Sequence, residues 1–294
     1  MISITLSDLA NLALNGLAEG LLIALPALAV TLVFGVARFP NAATGDLVSV
    51  GGFGAFGAWK LFGGSFLAGA VGGIAAGALA SWLAWQFVFK PVSRHSGVTL
   101  MLTSIGLGFL IRAVLGLAFG HENNMFDTPM LRAWTLGDVS VNPVDVAIAG
   151  ISVVTVALVF VLLYLTPAGR VLRAMADNHD LARVVGIGTA RANALMWLLV
   201  GAVCGMAGLL VGVKTLVSPE AGSELLLAGF AAAVVGGLGN PLGAVAGAAV
   251  LGIFQELSTP FVGFTYKIAL AYAVMLLVLL WRPQGLFNRT QGVR

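Results

Sequence analysis

The sequence predicts an all-α fold, a polytopic transmembrane helical bundle, and its composition is the first observation that predicts it. Of the 294 residues, 59% are hydrophobic and 9% are charged, whereas soluble domains carry about 25% charged residues. The second observation is that apolar runs of spanning length recur between short polar segments. Since a span takes about 20 residues, we expect about 8–9 membrane segments, including short broken or re-entrant helices, in a single domain over residues 1–294.

The first half of the chain is predicted to hold four of these segments. Its apolar runs lie at about residues 9–36, 41–60, 66–89 and 97–120. The second run, NAATGDLVSVGGFGAFGAWK, is too short and too rich in glycine for an ordinary span, so we leave open whether it crosses or re-enters. Lys90 and Arg94 place the turn after the third run inside the cell, and the acidic loop 121–144 then lies outside.

The second half contains a broken apolar stretch. Its apolar runs lie at about residues 145–166, 192–213, 225–257 and 266–281. GGLGNP at 236–241 divides the third run into two short halves and predicts a hairpin that returns to the outer side. Arg282, Arg289 and Arg294 place the C-terminus inside. A broken segment in each half is typical of a substrate path, although close packing through small residues explains most of the 39 glycines without a ligand.

A basic, amphipathic insert separates two of the apolar runs, and we call its residues, about 167–191, the elbow. Its arginines predict a cytoplasmic position: Arg170, Arg173, Arg183 and Arg191. Apolar residues at helical spacing predict a face that can dock against protein: Val171, Leu172, Met175, Leu181, Val184 and Val185.

The elbow is expected to be a rigid pair of short helices. Asp177 or Asn178 can cap the second helix, and Gly186 can end it. Thr189 can cap the span that follows. A rigid pair of helices could transmit force to the bundle.

Four ionisable residues lie within apolar runs, where a charge at a helix centre costs about 2.5–3.5 kcal/mol on insertion scales. They are Glu19, Asp46, Arg112 and Glu256. For Arg112 and Glu256, snorkelling or mutual pairing is favoured over ligand contact. For Glu19 and Asp46 both interpretations stay open, since Asp46 also complements the positive end of a helix dipole.

The sequence gives no support for a nucleotide-binding, catalytic, metal or nucleic-acid-binding site. Gly52, Gly54 and Gly57 satisfy G-x-G-x-x-G without the strand that a dinucleotide fold needs. GLLVGVKT at 208–215 lacks the second glycine of a phosphate-binding loop, so we expect no ATP or other cofactor in this chain. We also expect no catalytic residue and no metal site, and the net charge of +3 reflects loop arginines and no nucleic-acid face.

Several blocks resemble one family over nearly the whole chain. NAATGD at 41–46 is similar to its N-F-A-H-G-E/D segment, with the phenylalanine and histidine positions changed. Residues 90–112 and 228–257 and the closing LVLLWRPQGLF resemble further blocks. The elbow matches the family's cytoplasmic loop at Gly169, Arg170, Arg173, Ala176, Ala182, Gly186 and Ile187. The chain thus resembles the Liv-type permeases of ATP-driven branched-chain amino-acid importers.

The resemblance implies a non-enzymatic permease subunit in the bacterial inner membrane, in contact with lipid. Its implied partners are a second permease, homologous or identical, two cytoplasmic ATP-binding subunits that use the ATP, and a periplasmic substrate-binding protein. Branched-chain or related amino acids, or small amides, are the implied cargo, moved by alternating access. The resemblance assigns ATPase coupling to the elbow residues above together with Asp177.

The broken segments and buried charges predict the substrate path. Its candidate residues are Glu19, Asn41, Thr44, Gly45, Asp46, Gly236, Gly237 and Gly239. An ion-coupled secondary transporter of small solutes is the main alternative, with Glu19 and Asp46 as coupling carboxylates. A channel or a structural membrane protein is the third class.

Overall fold

A computed structural model describes most of the chain. The described residues are 6–93, 95–120, 122–127, 132–136, 139–263, 266–282 and 284–287. Three of the arginines used above to assign sides, Arg94, Arg289 and Arg294, lie outside them.

Helices make up most of the described residues. The first half contains α1 Leu6–Ala37, α2 Thr44–Leu61, α3 Phe66–Ala84, a π-helical turn Trp85–Phe89, α4 Lys90–Val92 and α5 Gly97–Phe119. The second half contains α6 Pro143–Leu165, α7 Pro167–Asp177, α8 His179–Val184, α9 Thr189–Lys214, α10 Ala221–Gly236, α11 Pro241–Val262 and α12 Lys267–Trp281. A short antiparallel hairpin, β1 Trp134–Leu136 and β2 Val139–Val141, joins α5 to α6 and was not predicted.

The predicted all-α membrane bundle is confirmed. Six stretches of helix in the described part are long and apolar enough to cross a membrane. They are Ser7–Ala37, Phe66–Val92, Gly97–Phe119, Pro143–Leu165, Thr189–Lys214 and Pro241–Val262. Shorter apolar helices pack among them, at Ala221–Gly236 and Ala269–Trp281. The chain is a multi-pass membrane protein.

The bundle has two distinct ends. We name them the elbow end, which carries α7 and α8, and the hairpin end, which carries β1 and β2. At the start of α1, Asn11 Oδ1 accepts a hydrogen bond from the Ser140 backbone N–H at 2.9 Å. Beyond its last turn, the Arg38 guanidinium donates to the Ala176 carbonyl of α7. Helix α1 therefore begins at the hairpin end and finishes at the elbow end.

The segment after α1 crosses to the hairpin end, which answers the question that its sequence left open. The Ala42 N–H donates to Ser104 Oγ at 3.0 Å, and Arg112 pairs with Asp46 at 3.0 Å. Because Gly108, which lies beside Ala43 and Asp46, is 11 residues beyond Gly97, α2 begins about 16 Å along α5 from the elbow end. Its other end reaches the hairpin end, where Trp59 packs edge-on against Phe126 with ring centroids 5.4 Å apart.

The predicted helical hairpin is confirmed as α10 and α11, with its turn at the elbow end. Gly237 and Gly239 adopt φ of 104° and 90°, a region open to glycine, and so allow the tight turn. The expectation of two short halves is wrong for α11, which has 22 residues. Its polar last turns are compatible with a helix because Ser258 and Thr259 donate to carbonyls one turn earlier.

Glycines bring the backbones of α2, α3 and α9 into direct contact. A methyl group added at Gly205 would overlap the Gly73 carbonyl, and one at Gly77 would overlap the Gly201 carbonyl. Gly51 likewise lies against Gly205. These glycines therefore serve helix packing, as close small-residue contacts in membranes commonly do.

Candidate functional site

The elbow is a pair of short helices, as predicted. Thr166 Oγ1 accepts a hydrogen bond from the Gly169 N–H at 3.1 Å and caps α7. Asn178 Oδ1 accepts from the Leu181 N–H at 3.0 Å, so Asn178, and not Asp177, caps α8. Gly186, with φ of 87°, follows α8 and ends it. Thr189 is the first residue of α9, and no side chain caps the start of this helix by a hydrogen bond. The predicted capping role of Thr189 is therefore wrong.

Several of the predicted coupling residues build the elbow itself. Gly169 lies so close to the Leu162 and Leu163 carbonyls that a side chain would overlap them, and this closeness permits the sharp corner between α6 and α7. Ala182 is 5% exposed, and its carbonyl accepts the Ile187 N–H at 3.0 Å. These contacts give Gly169, Ala182 and Ile187 a structural role within the elbow.

Other predicted coupling residues lie nearer the surface. Arg170 and Asp177 are exposed, and the Arg173 guanidinium lies 4.9 Å from the centre of the Tyr164 ring. A guanidinium at this distance forms a cation–π contact. It fixes α7 against the end of α6.

The predicted docking face divides into a buried part and an exposed part. Leu172 and Met175 are 3% and 0% exposed because α7 turns its apolar side toward the bundle, so these two residues are not available to a partner. Val171 is partly buried against the same core. The other three form an exposed apolar tip: Leu181, Val184 and Val185, which are 58%, 83% and 73% exposed. We call these three residues the elbow tip. The elbow tip lies beyond the spanning helices and is the exposed part of the predicted docking face.

Arg38 joins the end of α1 to the elbow, a role that the sequence analysis missed. Its guanidinium donates to the carbonyls of Ala176 and Asp177, the last two residues of α7. A cation there complements the negative end of the helix. Arg38 has φ of 58°, in the left-handed region that non-glycine residues seldom adopt. No local sequence signal predicts a contact between residues 138 positions apart.

A cavity of about 540 Å³ opens at the hairpin end between α1, α9, α10, α11 and α12. Glu19, a predicted path residue, lines it and forms an ion pair with Lys214. The Lys214 ammonium also lies 3.6 Å from Asp145 Oδ1. Glu19 therefore has both a structural partner and access to the cavity, so the two interpretations of this residue coexist.

The other three charged residues of the apolar runs are also paired, but Arg112 and Glu256 do not pair with each other. Arg112 donates to Asp46 Oδ1 through Nη2 at 3.0 Å and Nε at 3.2 Å. Glu256 instead pairs with Lys267. Mutual pairing of Arg112 and Glu256 is thus wrong, because α5 and α11 lie apart in the bundle.

Asn41, Thr44, Gly45 and Asp46 form a packed joint and do not line the cavity. The Asn41 carbonyl accepts the Thr44 hydroxyl at 2.9 Å. Gly45 packs on the backbone of Gly222. The Asp46 side chain is 5% exposed. These four residues therefore fix the start of α2 between α5 and α10.

We expect Asp46→Asn to lower the midpoint of thermal unfolding more than Asp46→Asn combined with Arg112→Gln. The single change leaves the Arg112 charge without its partner inside the bundle, whereas the double change removes both charges. Thermal scans of purified protein at one fixed rate measure both midpoints, with Glu122→Gln as an exposed control. Equal midpoints for single and double variants would contradict a stabilising role for the pair.

A second cavity, of about 320 Å³, lies at the elbow end. Thr31 and Gly35 of α1, Arg173 of α7 and Asn240 of the α10–α11 turn contribute to its lining. Gly239 belongs to the same wall, next to Gly35. The turn that carries the predicted path glycines therefore borders this second cavity, far from Glu19.

The predicted path residues consequently fall in three places. Glu19 lines the hairpin-end cavity, the segment 41–46 forms the joint at α2, and Gly236, Gly237 and Gly239 lie at or beside the elbow-end turn. Helix α1 connects them, because it borders both cavities. Between the cavities, α1 is sealed: Ala24, Leu25, Ala27, Leu28, Ala29 and Val30 are each 0% exposed.

A multi-pass helical bundle with a cavity at each end and a basic elbow is the architecture of a membrane permease. The family model described as "Branched-chain amino acid transport system / permease component" matches residues 12–279. The chain belongs to this family of transport permeases, whose members are not enzymes.

Individual relatives agree with the family. The high-affinity branched-chain amino acid transport system permease protein LivH of Escherichia coli is 27% identical over 291 residues, covering 94% of each chain. The high-affinity branched-chain amino acid transport system permease protein LivM of the same organism is 30% identical over 130 residues, covering 42% of this chain and 29% of LivM. Among solved structures, PsaBC from Streptococcus pneumoniae, in complex with Fab, has a similar fold with a TM-score of 0.50 and 15% identity, covering 90% of this chain and 89% of that one.

Proposed function

We propose that this chain is the permease subunit of an ATP-binding-cassette importer in the bacterial inner membrane. Its cargo would be branched-chain or related amino acids, or small amides, moved by alternating access. The observation that carries the proposal is the placement of α1, which borders a cavity at each end and is fully buried between them. A solute could pass only if this sealed section moved.

Pro26 lies within the sealed section and gives it a place to bend. Proline has no backbone N–H, so α1 lacks the hydrogen bond from residue 26 to the Leu22 carbonyl. Leu22 lines the hairpin-end cavity, and Thr31 lines the elbow-end cavity. Bending between these residues would open one cavity as it closes the other.

The distribution of basic residues supports a cytoplasmic elbow end. In the described part of the chain, the basic residues of the elbow end are Arg38, Lys90, Arg170, Arg173, Arg183, Arg191 and Arg282. Those of the hairpin end are Lys60, Arg132, Lys214 and Lys267. The hairpin end would then face the periplasm and receive cargo from a substrate-binding protein.

The elbow tip would dock on one of two cytoplasmic ATP-binding subunits, which bind the ATP, so this chain needs no cofactor. Movement could then pass from α8 to α7 and, through Arg38, to the end of α1. A second permease, either a copy or a homologue resembling LivM, would complete the transporter. The absence of a metal or catalytic site in this chain stays a prediction.

Reconstitution tests this function against an ion-coupled transporter. We expect the chain to co-purify with an ATP-binding subunit, and proteoliposomes of the whole complex to accumulate tritiated leucine only with the substrate-binding protein and hydrolysable ATP. A non-hydrolysable ATP analogue is the control. Accumulation by the chain alone, driven by a sodium or proton gradient, would support the ion-coupled alternative, in which Glu19 and Asp46 are coupling carboxylates.

A further inference from the structure

The hairpin-end cavity carries more negative than positive charge. Its two cations are already paired: Lys214 with Glu19 and Asp145, and Lys267 with Glu256. Two further carboxylates line the cavity, Glu220 and Glu224. Both are exposed, and neither forms a salt bridge within the described residues. The cavity region thus combines five carboxylates with two ammonium groups, which gives it a negative potential that attracts cations and repels anions.

Gln255 supplies an uncommitted polar group in the same cavity. The residue lines the cavity and is 3% exposed. Within the described residues its side-chain amide makes no hydrogen bond, and it is not among the fully buried polar atoms that lack a partner, so the amide is open to the cavity. An amide offers both a donor and an acceptor, so Gln255 can bind a solute through either.

Part of the cavity lining is apolar. Leu22 and Ile23 of α1 and Leu225 of α10 contribute to it. The cavity therefore combines a negative rim, a buried amide and a surface suited to an aliphatic group, a composition typical of sites for small polar ligands.

From this combination, we propose that the hairpin-end cavity is a selectivity site, which accepts solutes bearing an ammonium or amide group on a short aliphatic body and rejects net anions. Glu220 and Glu224 supply the discrimination by charge, and Gln255 hydrogen-bonds the polar head of the solute. The inference rests on the proposed function only in treating that solute as cargo.

Three probes that share the leucine side chain differ in net charge. They are leucinamide, leucine and N-acetylleucine, with net charges of +1, 0 and −1 at neutral pH. The complete transporter is placed in lipid nanodiscs without nucleotide, with Thr215→Cys as a reporter on the cavity wall. Maleimide labels this cysteine, while the native Cys204 is fully buried. Protection from labelling then reports occupancy of the cavity.

We expect leucinamide to protect best, leucine less, and N-acetylleucine at least about tenfold more weakly than leucinamide, because like charges in contact are strongly unfavourable. The double variant with Glu220→Gln and Glu224→Gln should reduce the difference in protection between leucinamide and N-acetylleucine. Gln255→Leu should weaken leucinamide and leucine by about three- to tenfold, as loss of one hydrogen bond does. Glu122→Gln, an exposed carboxylate outside the cavity lining, should leave the order unchanged.

Equal protection by all three probes, strongest protection by N-acetylleucine, or no protection by any probe would overturn this selectivity site. An unchanged ratio of protection by leucinamide to protection by N-acetylleucine in the double glutamine variant would also overturn the selectivity site. Because the assay contains no nucleotide, its outcome is independent of ATP-driven uptake. Failure of uptake with the expected probe order would reject only the proposed function, whereas equal protection with normal uptake would reject only the selectivity site.

Discussion

Val184→Asp is expected to reduce ATP-driven uptake by about tenfold or more while leaving the amount of folded chain unchanged. Val184 is 83% exposed at the elbow tip, so the change costs little in the isolated chain. In a docked complex it would place a charge in an apolar contact. Burial of a valine side chain is worth about 1.5–3 kcal/mol, and about 1.4 kcal/mol already corresponds to tenfold in affinity.

The measurements are co-purification of the ATP-binding subunit and uptake into proteoliposomes. Val184→Ile keeps the side chain apolar and serves as the matched control, with near-normal values expected in both. Retention of the ATP-binding subunit and of full uptake by Val184→Asp would show that the elbow tip is not the docking surface.

Gly205→Leu is expected to prevent the chain from reaching its folded, monodisperse state. The added carbons would overlap the backbone of α3 at Gly73 and Ile74. Movement of a side chain cannot relieve an overlap with backbone, so α9 and α3 must separate. The loss in folding free energy should exceed ~1–3 kcal/mol, the usual cost of adding methylene groups to a well-packed core.

Gly57→Leu provides the matched control, because a Cβ added at Gly57 meets no atom of the described residues within 4 Å. Both changes replace a helical glycine with leucine and raise helix propensity equally, so only the packing differs. Size-exclusion chromatography in detergent and the yield of membrane-inserted chain give the readout. Equal yields of the two variants would mean that the α3–α9 contact does not determine folding.

The elbow shows which structural features local sequence predicts and which it does not. Caps, helix ends and amphipathic spacing depend on residues within a few positions of each other, so the two helices at 167–184 were predictable, as was the end of α8 at Gly186. Which apolar residues would be buried was not predictable. Leu172 and Val184 have the same spacing pattern, but only Leu172 meets the bundle.

For the charged residues of the apolar runs, burial was predictable from the sequence but the pairing partners were not. Their burial and the need for pairing followed from the cost of a charge in a membrane. Their partners did not, since Asp46 with Arg112 and Glu19 with Lys214 are 66 and 195 residues apart. The α10–α11 turn was likewise recognisable from GGLGNP, while its position beside the elbow was not.

The sequence by itself determined the class of fold, the helical hairpin and the two-helix elbow, because hydrophobic length, glycine turns and helix caps act over short stretches of chain. Tertiary structure alone decided that α1 begins at the hairpin end and borders both cavities, that Arg38 meets α7, and that Gln255 and Lys214 line the same cavity. These features depend on how distant helices pack. Packing is set by the shapes of whole surfaces, which no local pattern encodes.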